Sequence, residues 1–151
     1  EPVPEESSHD RLASASARFR GTRAAHRGET AEDYLEAVLS LEETAGCARV
    51  GDLARHMGVS HVTVSRIVAR LVRDGLVSGG SRKPIVLTPL GAKVARRSRR
   101  RHEIVLAFLL ALRVPAEQAE IDAEGIEHHV SEATIRAMKR WSASREGGPG
   151  H

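Results

Sequence analysis

The spacing of apolar residues along the chain predicts a mainly helical protein with one small β-hairpin. Apolar side chains recur at helical intervals between Tyr34 and Leu41 and again between Val64 and Leu71. Between residues 76 and 88 the pattern changes to two short apolar runs separated by a Gly-Gly-Ser turn, which is typical of a hairpin. With caps and stops taken into account, helices are expected over about residues 31–44, 50–57, 61–74, 89–112 and 115–129, and from 131 onward.

The order of the first elements is that of a winged helix-turn-helix: two helices, a Gly-Val-Ser turn, a third helix and a hairpin. In such a domain the third helix lies in the major groove of DNA, and the hairpin reaches the phosphate backbone. With Val64, Ile67 and Leu71 facing inward, the outward residues expected at the DNA are Ser60, His61, Thr63, Ser65, Arg66 and Arg70. Arg82 and Lys83 are expected to act from the wing. The alternative is that these basic residues form an ordinary solvated face.

Four segments are predicted from these patterns. Residues 1–28 are expected to be a flexible basic arm, because they carry scattered arginines and few large apolar groups. Residues 29–88 form the winged helix, residues 89–145 an all-helical metal-binding and dimerisation domain, and residues 146–151 a disordered tail. The dimer surface is expected on the apolar side of the long helix, at Ile104, Val105, Phe108, Leu109 and Leu112.

Acidic and histidine residues are spaced as metal ligands would be. Two carboxylates and an imidazole stand at i, i+3 and i+4 of the predicted helix over residues 115–129, so they share one face. The first helix repeats the i, i+3 carboxylate spacing, and a histidine lies within the long helix. The six candidate ligands are Asp33, Glu36, His102, Glu124, Glu127 and His128. This set of oxygen and nitrogen atoms suits a hard or borderline divalent ion; the alternative is surface acids with a packed histidine.

Composition narrows the classes of function. The chain has 151 residues, of which only 3% are aromatic, and this argues against a large aromatic-lined pocket for a small organic substrate. The net charge of +3 suits a polyanionic partner, although the Arg-rich run over residues 96–101 is expected to be solvated or paired. The single cysteine, Cys47, excludes a disulfide framework and fits a reducing cytosol. No apolar run is long enough to span a bilayer, so a cytoplasmic protein is expected.

Three motifs resemble the diphtheria toxin repressor family of metal-dependent transcription regulators, in its manganese branch. They are Glu32-Asp33-Tyr34-Leu35-Glu36, Arg101-His102-Glu103 and the segment from Asp122 to Ser131. The resemblance covers about residues 31–141. It implies a repressor that binds palindromic operator DNA as a homodimer and controls manganese uptake genes.

The resemblance also implies a binuclear Mn²⁺ site, with two ions per subunit held by the six candidate ligands and bridged by Glu36 and Glu124. The iron branch of the family has a cysteine where Glu124 stands, and a hard oxygen in place of sulfur favours Mn²⁺.

The charges suggest how metal could control DNA binding. Four carboxylates in one cleft repel one another when ionised, so the first helix is expected to stand off from the C-terminal helices until cations bind. Metal would then fix the two recognition helices of a dimer about one DNA turn apart, ~34 Å. A regulator without enzymatic activity is therefore expected. The alternatives are an iron-responsive regulator of the same family, a di-metal hydrolase and a regulator without metal.

Overall fold

The computed structural model describes residues 31–146. The predicted arm over residues 1–28 and residues 147–151 of the predicted tail lie outside the described residues. Among those described, no helix is both long enough and apolar enough to cross a membrane.

The described residues form six helices and one hairpin in the predicted order. Helix α1 covers residues 31–45. The elements that follow are α2 (Val50–Met57), α3 (His61–Arg73), β1 (Val77–Gly80), β2 (Lys83–Leu87), α4 (Pro89–Ala111), α5 (Ala116–Ile126) and α6 (Glu132–Glu146). The prediction of a mainly α fold with a winged helix-turn-helix followed by a helical domain is confirmed.

Local capping explains why the helices of the winged domain begin and end where the sequence predicts. Ser60 caps α3, because its hydroxyl accepts a hydrogen bond from the backbone N–H of Thr63 at 3.1 Å. Gly58 ends α2 in the left-handed conformation, with φ 67°. Thr88 accepts the N–H of Gly91 and Pro89 follows it directly, so α4 starts after a side-chain cap with proline in its first turn.

The wing is an antiparallel pair in which Val77 lies opposite Leu87. Ile85 of β2 also bridges to Ala48, in the connection between α1 and α2, so the wing is tied to the helices. The register is irregular between Ser78 and Gly80. At Gly79, between them, a Cβ atom would lie 2.0 Å from the carbonyl oxygen of Pro84, so only glycine fits there.

The described residues pack around two apolar cores, and α4 contributes to both. The first core belongs to the winged helix and includes Leu35, Leu53, Leu71 and Ile85, all fully buried. The second core lies among α4, α5 and α6; its buried members are Val105, Leu109, Ala119, Ala123 and Ile135. Because α4 packs against both cores, it joins the winged-helix half to the helical half.

Two expectations about the helical half are wrong. Val105 and Leu109 do not form an exposed dimer surface; they are 0% and 8% exposed, because this side of α4 packs on α5 and α6 of the same chain. Of the residues expected at that surface, Leu112 is the one that is exposed, at 48%. The fifth helix also ends at Ile126 and does not continue to His129.

Candidate metal centre

Candidate metal ligands from three parts of the chain lie close together: α1, α4, and the end of α5 with the turn that follows it. Asp33 and Glu36 project from α1, and His102 comes from the middle of α4. Glu124 lies in the last turn of α5, whereas Glu127 and His128 follow the helix, in the turn that leads to α6. These last two residues therefore reach the cluster from a turn and not from the helical face that the sequence predicts.

Asp33, Glu124 and His128 form a first group whose potential ligand atoms all lie within 4.8 Å of one another. In this group Nε2 of His128 lies 3.1 Å from Oδ1 of Asp33. An ion about 2.2 Å from each of two ligand atoms holds them roughly 3 to 4.4 Å apart, so this spacing suits a divalent cation.

A second group, with the same 4.8 Å limit, consists of His102, Glu124 and Glu127. Nδ1 of His102 lies 2.6 Å from Oε2 of Glu127 and 3.6 Å from Oε1 of Glu124. Glu124 belongs to both groups, and its side chain is 66% exposed, so it is free to turn. A carboxylate that is common to two neighbouring sites is placed where a bridging ligand has to be.

Glu36 lies at the same cavity but belongs to neither group. The cavity has a volume of about 310 Å³, and Asp33, Glu36 and Glu124 line it together with His56 of α2. Oε1 of Glu36 accepts a hydrogen bond from the Ser98 hydroxyl, which occupies one oxygen. Burial raises the pKa of Glu36, and the nearby charges of Glu124 and Asp33 raise it further.

The electrostatics of the cluster show that it is short of positive charge. Glu127 is 2% exposed, and burial raises its pKa to about 7. Hydrogen bonds from its ring to Asp33 and Glu32 raise the pKa of His128 to about 10. Burial by itself would lower the pKa of His102, but the charge of Glu127 and the hydrogen bonds to Glu120 and Glu127 raise it overall. The buried acid and both histidines therefore hold protons more tightly than free residues do.

Sequence reasoning missed several residues that contact these ligands. Glu32 bonds His128, Glu120 bonds His102, and Ser98 bonds Glu36. Arg101 holds the turn after α5, because its guanidinium donates to the carbonyl oxygens of Glu127 and Val130. The motif segments contain Glu32 and Arg101, but nothing in their spacing indicates these contacts.

The Arg-rich run of α4 is in part paired, as expected. Arg97 and Arg101 both bond Glu132, and Arg99 bonds Glu43 of α1 at 3.0 Å. Arg96 and Arg100, by contrast, are exposed.

The surface predicted to meet DNA is present on α3 and the wing. His61, Arg66, Arg82 and Lys83 are exposed. The hydroxyls of Ser60 and Thr63 lie 3.0 Å apart at the helix cap, and Ser65 is half-buried.

One residue predicted to contact DNA is less exposed than expected, and two arginines that the sequence analysis did not select lie beside the predicted surface. Arg70 is half-buried, and its Nη2 is shielded from solvent without a hydrogen-bond partner. Arg49 and Arg55, at the start of α2 and within it, line a cavity of about 500 Å³ with His61, Ser65 and Lys83. Asp52 lies in the same cavity and pairs with Arg55 at 2.6 Å, so, among the described residues, Arg49 is the one that adds unpaired basic charge beside the predicted ones.

Two family models match successive parts of the chain. The family model described as iron-dependent repressor, N-terminal DNA-binding domain, matches residues 26–83. The model described as iron-dependent repressor, metal-binding and dimerisation domain, matches residues 88–143. The transcriptional regulator MntR of Escherichia coli O6:H1 is 46% identical over 121 residues, which cover 80% of this chain and 78% of that protein.

Relatives of lower sequence identity are also described as transcriptional regulators or repressors. The HTH-type transcriptional regulator MntR of Bacillus pumilus is 38% identical over 100 residues, covering 66% of this chain and 69% of that protein. A solved structure described as a manganese-dependent transcriptional repressor in complex with manganese superimposes with a TM-score of 0.67 at 29% identity. That match covers 75% of this chain and 52% of the solved one, so the chain spans about half the length of that protein.

Proposed function

Because the chain belongs to the iron-dependent repressor family, with regulators named MntR among its relatives, we propose that it is a manganese-responsive transcriptional repressor. The predicted resemblance to the diphtheria toxin repressor family is confirmed by these matches, and the relatives are regulators and not enzymes. The hydrolase alternative is therefore set aside. The observation that carries the proposal is that Asp33 of α1, in the DNA-binding half, meets Glu124 and His128 of the helical half in one group.

The donor set supports Mn²⁺ as the effector. The two groups offer carboxylate oxygens and imidazole nitrogens and contain no sulfur. Hard oxygen donors suit Mn²⁺, whereas sulfur would favour softer or later metals. The two groups, joined through Glu124, support two ions per subunit, with Asp33, Glu36, His102, Glu124, Glu127 and His128 as ligands.

The mechanism follows from the charges of the chain itself. Burial raises the pKa values of Glu36 and Glu127, and neighbouring acids raise them further, so the ionised cluster is costly without cations. Bound divalent ions would supply the missing positive charge. Asp33 and Glu36 would then be held against Glu124 and His128, which fixes α1 relative to α4 and α5.

DNA binding is assigned to α3 and the wing. In this assignment Ser60, His61, Thr63, Ser65, Arg66 and Arg70 act at the major groove, and Arg82 and Lys83 contact phosphates from the wing. The operator is proposed to be palindromic because a twofold homodimer presents two identical α3 helices. Metal can strengthen DNA binding only as far as it binds the arrangement that fits DNA more tightly than it binds other arrangements of the protein.

The experiment is a fluorescence-anisotropy titration of DNA fragments enriched from a random library by the Mn²⁺-loaded protein. Binding is compared in Mn²⁺, Fe²⁺ and chelator at one fixed salt concentration, because affinity for DNA depends strongly on salt. We expect Mn²⁺ to strengthen binding about 5 to 150-fold, which is the usual range of allosteric coupling. Stronger activation by Fe²⁺ than by Mn²⁺ would favour the iron-responsive alternative, and equal affinity in all three conditions would refute metal control.

A variant of α1 tests whether metal acts between the two halves. Asp33→Asn keeps the side-chain volume and removes one charge and one strong ligand, so it should weaken Mn²⁺ activation and leave the dimer intact. The matched control is Glu43→Gln, also on α1, whose carboxylate pairs with Arg99 and belongs to neither ligand group. An Asp33→Asn protein with normal Mn²⁺ dependence would show that metal does not link the halves through Asp33.

A further inference from the structure

Each of the two histidines in the cluster is held from both sides. Nε2 of His128 faces the cluster, 3.1 Å from Asp33 and 3.4 Å from Oε1 of Glu127. Its other nitrogen, Nδ1, faces away from the cluster and lies 2.9 Å from Oε2 of Glu32. Glu32 and Asp33 are neighbours on α1, so they hold opposite nitrogens of one imidazole ring.

His102 has the same arrangement with the nitrogens exchanged. Its Nδ1 faces Glu127 and Glu124 in the cluster, and its Nε2 lies 3.2 Å from Oε2 of Glu120 on α5. Glu32 and Glu120 belong to neither ligand group. Each of these two acids therefore contacts a candidate ligand from outside the cluster.

A neutral imidazole carries one N–H and one lone pair, and a metal needs the lone pair. A carboxylate that accepts the N–H of the outer nitrogen leaves the lone pair on the inner nitrogen and fixes the plane of the ring. It also increases the basicity of the ligand, and such outer acids commonly contribute 10 to 100-fold in metal affinity. We propose that Glu32 and Glu120 are positioning residues of the metal centre, which set the tautomer and orientation of His128 and His102.

The environment of Glu32 makes it the stronger of the two. The His128 side chain is 6% exposed and that of Glu32 is 36% exposed, so water competes little for this bond. Glu32 and His128 are also 96 positions apart in the chain, so the bond joins α1 to the turn after α5. Glu120, by contrast, is 59% exposed, and we expect it to contribute less.

The second cavity supports the separation of roles. Glu32 and His128 line a cavity of about 250 Å³ together with Arg97, Arg101 and Glu132. Asp33, Glu36 and Glu124 line the other cavity, which Glu32 does not reach, whereas His128 and Glu127 lie on the Glu32 side. Arg97 also interacts electrostatically with Glu32, which favours the ionised carboxylate that accepts the N–H of His128.

The test measures Mn²⁺ affinity directly, by the electron paramagnetic resonance signal of free Mn²⁺, in Glu32→Ala, Glu32→Gln and Glu120→Ala. We expect Glu32→Ala to weaken Mn²⁺ binding by about 10-fold or more. Glu32→Gln should lose less, because its amide oxygen still accepts the N–H, and this conservative variant guards against simple misfolding. Glu43→Ala is the control, since it also breaks a contact of α1 with α4 but touches no histidine of the cluster.

A spectroscopic readout separates positioning from general loosening. In the Zn²⁺-loaded protein, ¹⁵N shifts of the rings should show Nδ1 of His128 protonated and Nε2 bound to metal, and Glu32→Ala should weaken or mix this pattern. The inference is overturned if Glu32→Ala binds Mn²⁺ like wild type, if Glu43→Ala loses as much, or if Nδ1 proves to be the metal-bound nitrogen. The inference rests on the proposed metal centre; wild-type protein that binds no Mn²⁺ would instead refute that proposal.

Discussion

Replacing Arg101 by alanine should destabilise the protein far more than replacing Arg97, although both side chains bond Glu132. Arg101 is 13% exposed, and its guanidinium donates to Glu132 at 2.7 Å and to two main-chain carbonyls of the turn after α5. Arg97 is 64% exposed and bonds Glu132. The two variants therefore share the Glu132 acceptor and differ in the burial of the arginine and in the two carbonyls that Arg101 also holds.

The magnitudes follow from that difference. An exposed ion pair contributes at most about 1 kcal/mol, so Arg97→Ala should cost less than that. Arg101→Ala removes a nearly buried cation together with its hydrogen bonds. It leaves the carbonyl oxygens of Glu127 and Val130 without their donor. Breaking such a contact costs about 3 kcal/mol. The turn that carries Glu127 and His128 also loses its support, so Mn²⁺ affinity should fall in the same variant.

Urea unfolding of the metal-free proteins measures the difference, at one protein concentration so that any effect of self-association is the same for every variant. With a slope of about 2 kcal/mol per molar urea, the midpoint should fall by about 1.5 M for Arg101→Ala and by less than about 0.5 M for Arg97→Ala. Arg101→Lys should recover little, because an ammonium group cannot reproduce the planar fork. Equal midpoint shifts in the two alanine variants would show that the turn does not depend on Arg101.

Three further predictions concern metal choice, protons and DNA. Glu124→Cys should shift activation of DNA binding from Mn²⁺ toward Fe²⁺ or Co²⁺, and an unchanged preference would mean that Glu124 is not a ligand. Because the pKa of His128 is raised to about 10, the metal-free protein holds this proton at pH 7, and Mn²⁺ must displace it. Binding should therefore release at least one proton, since Glu127 and His102, whose pKa values are also raised, add to the release, and it should strengthen as pH rises. Calorimetry in buffers of different ionisation enthalpy measures the number of protons released. Binding without proton release would contradict the assignment of His128 as a ligand. Arg82→Ala should weaken binding to all DNA sequences and lower the salt slope by about one ion, whereas Thr63→Ala should relax base preference; equal loss on specific and random DNA would argue against that division.

The elements that the sequence predicted well have their signals within a few residues. The cap at Ser60, the glycine at Gly58 and the Thr88-Pro89 pair fix helix ends through local bonds, and the structure has those ends where they were expected. The end of α5 is different. It is marked by no such signal, and the carbonyls that follow it are held by Arg101, which is 26 and 29 positions away. Local reasoning could not anticipate an end that is stabilised by a distant side chain.

Residue spacing explains only in part why the candidate ligands lie together. The i, i+3, i+4 spacing selected Glu124, Glu127 and His128, yet the last two reach the cluster from a turn. Periodicity also placed Val105 on an apolar face of the long helix, but it could not show that this face packs on helices of the same chain. Outer acids such as Glu32 carry no distinguishing pattern at all, because their role depends on which ring nitrogen they meet.

The position of α1 explains how a small change at the cluster could reach DNA. One side of α1 carries Asp33 and Glu36, while Leu35 and Val38 on its other side are buried in the core that also holds Val64 of α3. A packed core moves as a unit, so α1 cannot shift without taking the recognition helix with it. Helix α4 is continuous and packs on both cores, so the two halves stay joined whether or not metal is present. Under the proposed mechanism, the effect of metal is therefore to set the angle of the winged helix on α4, and hence the spacing of the two α3 helices across a dimer, and not to assemble the fold.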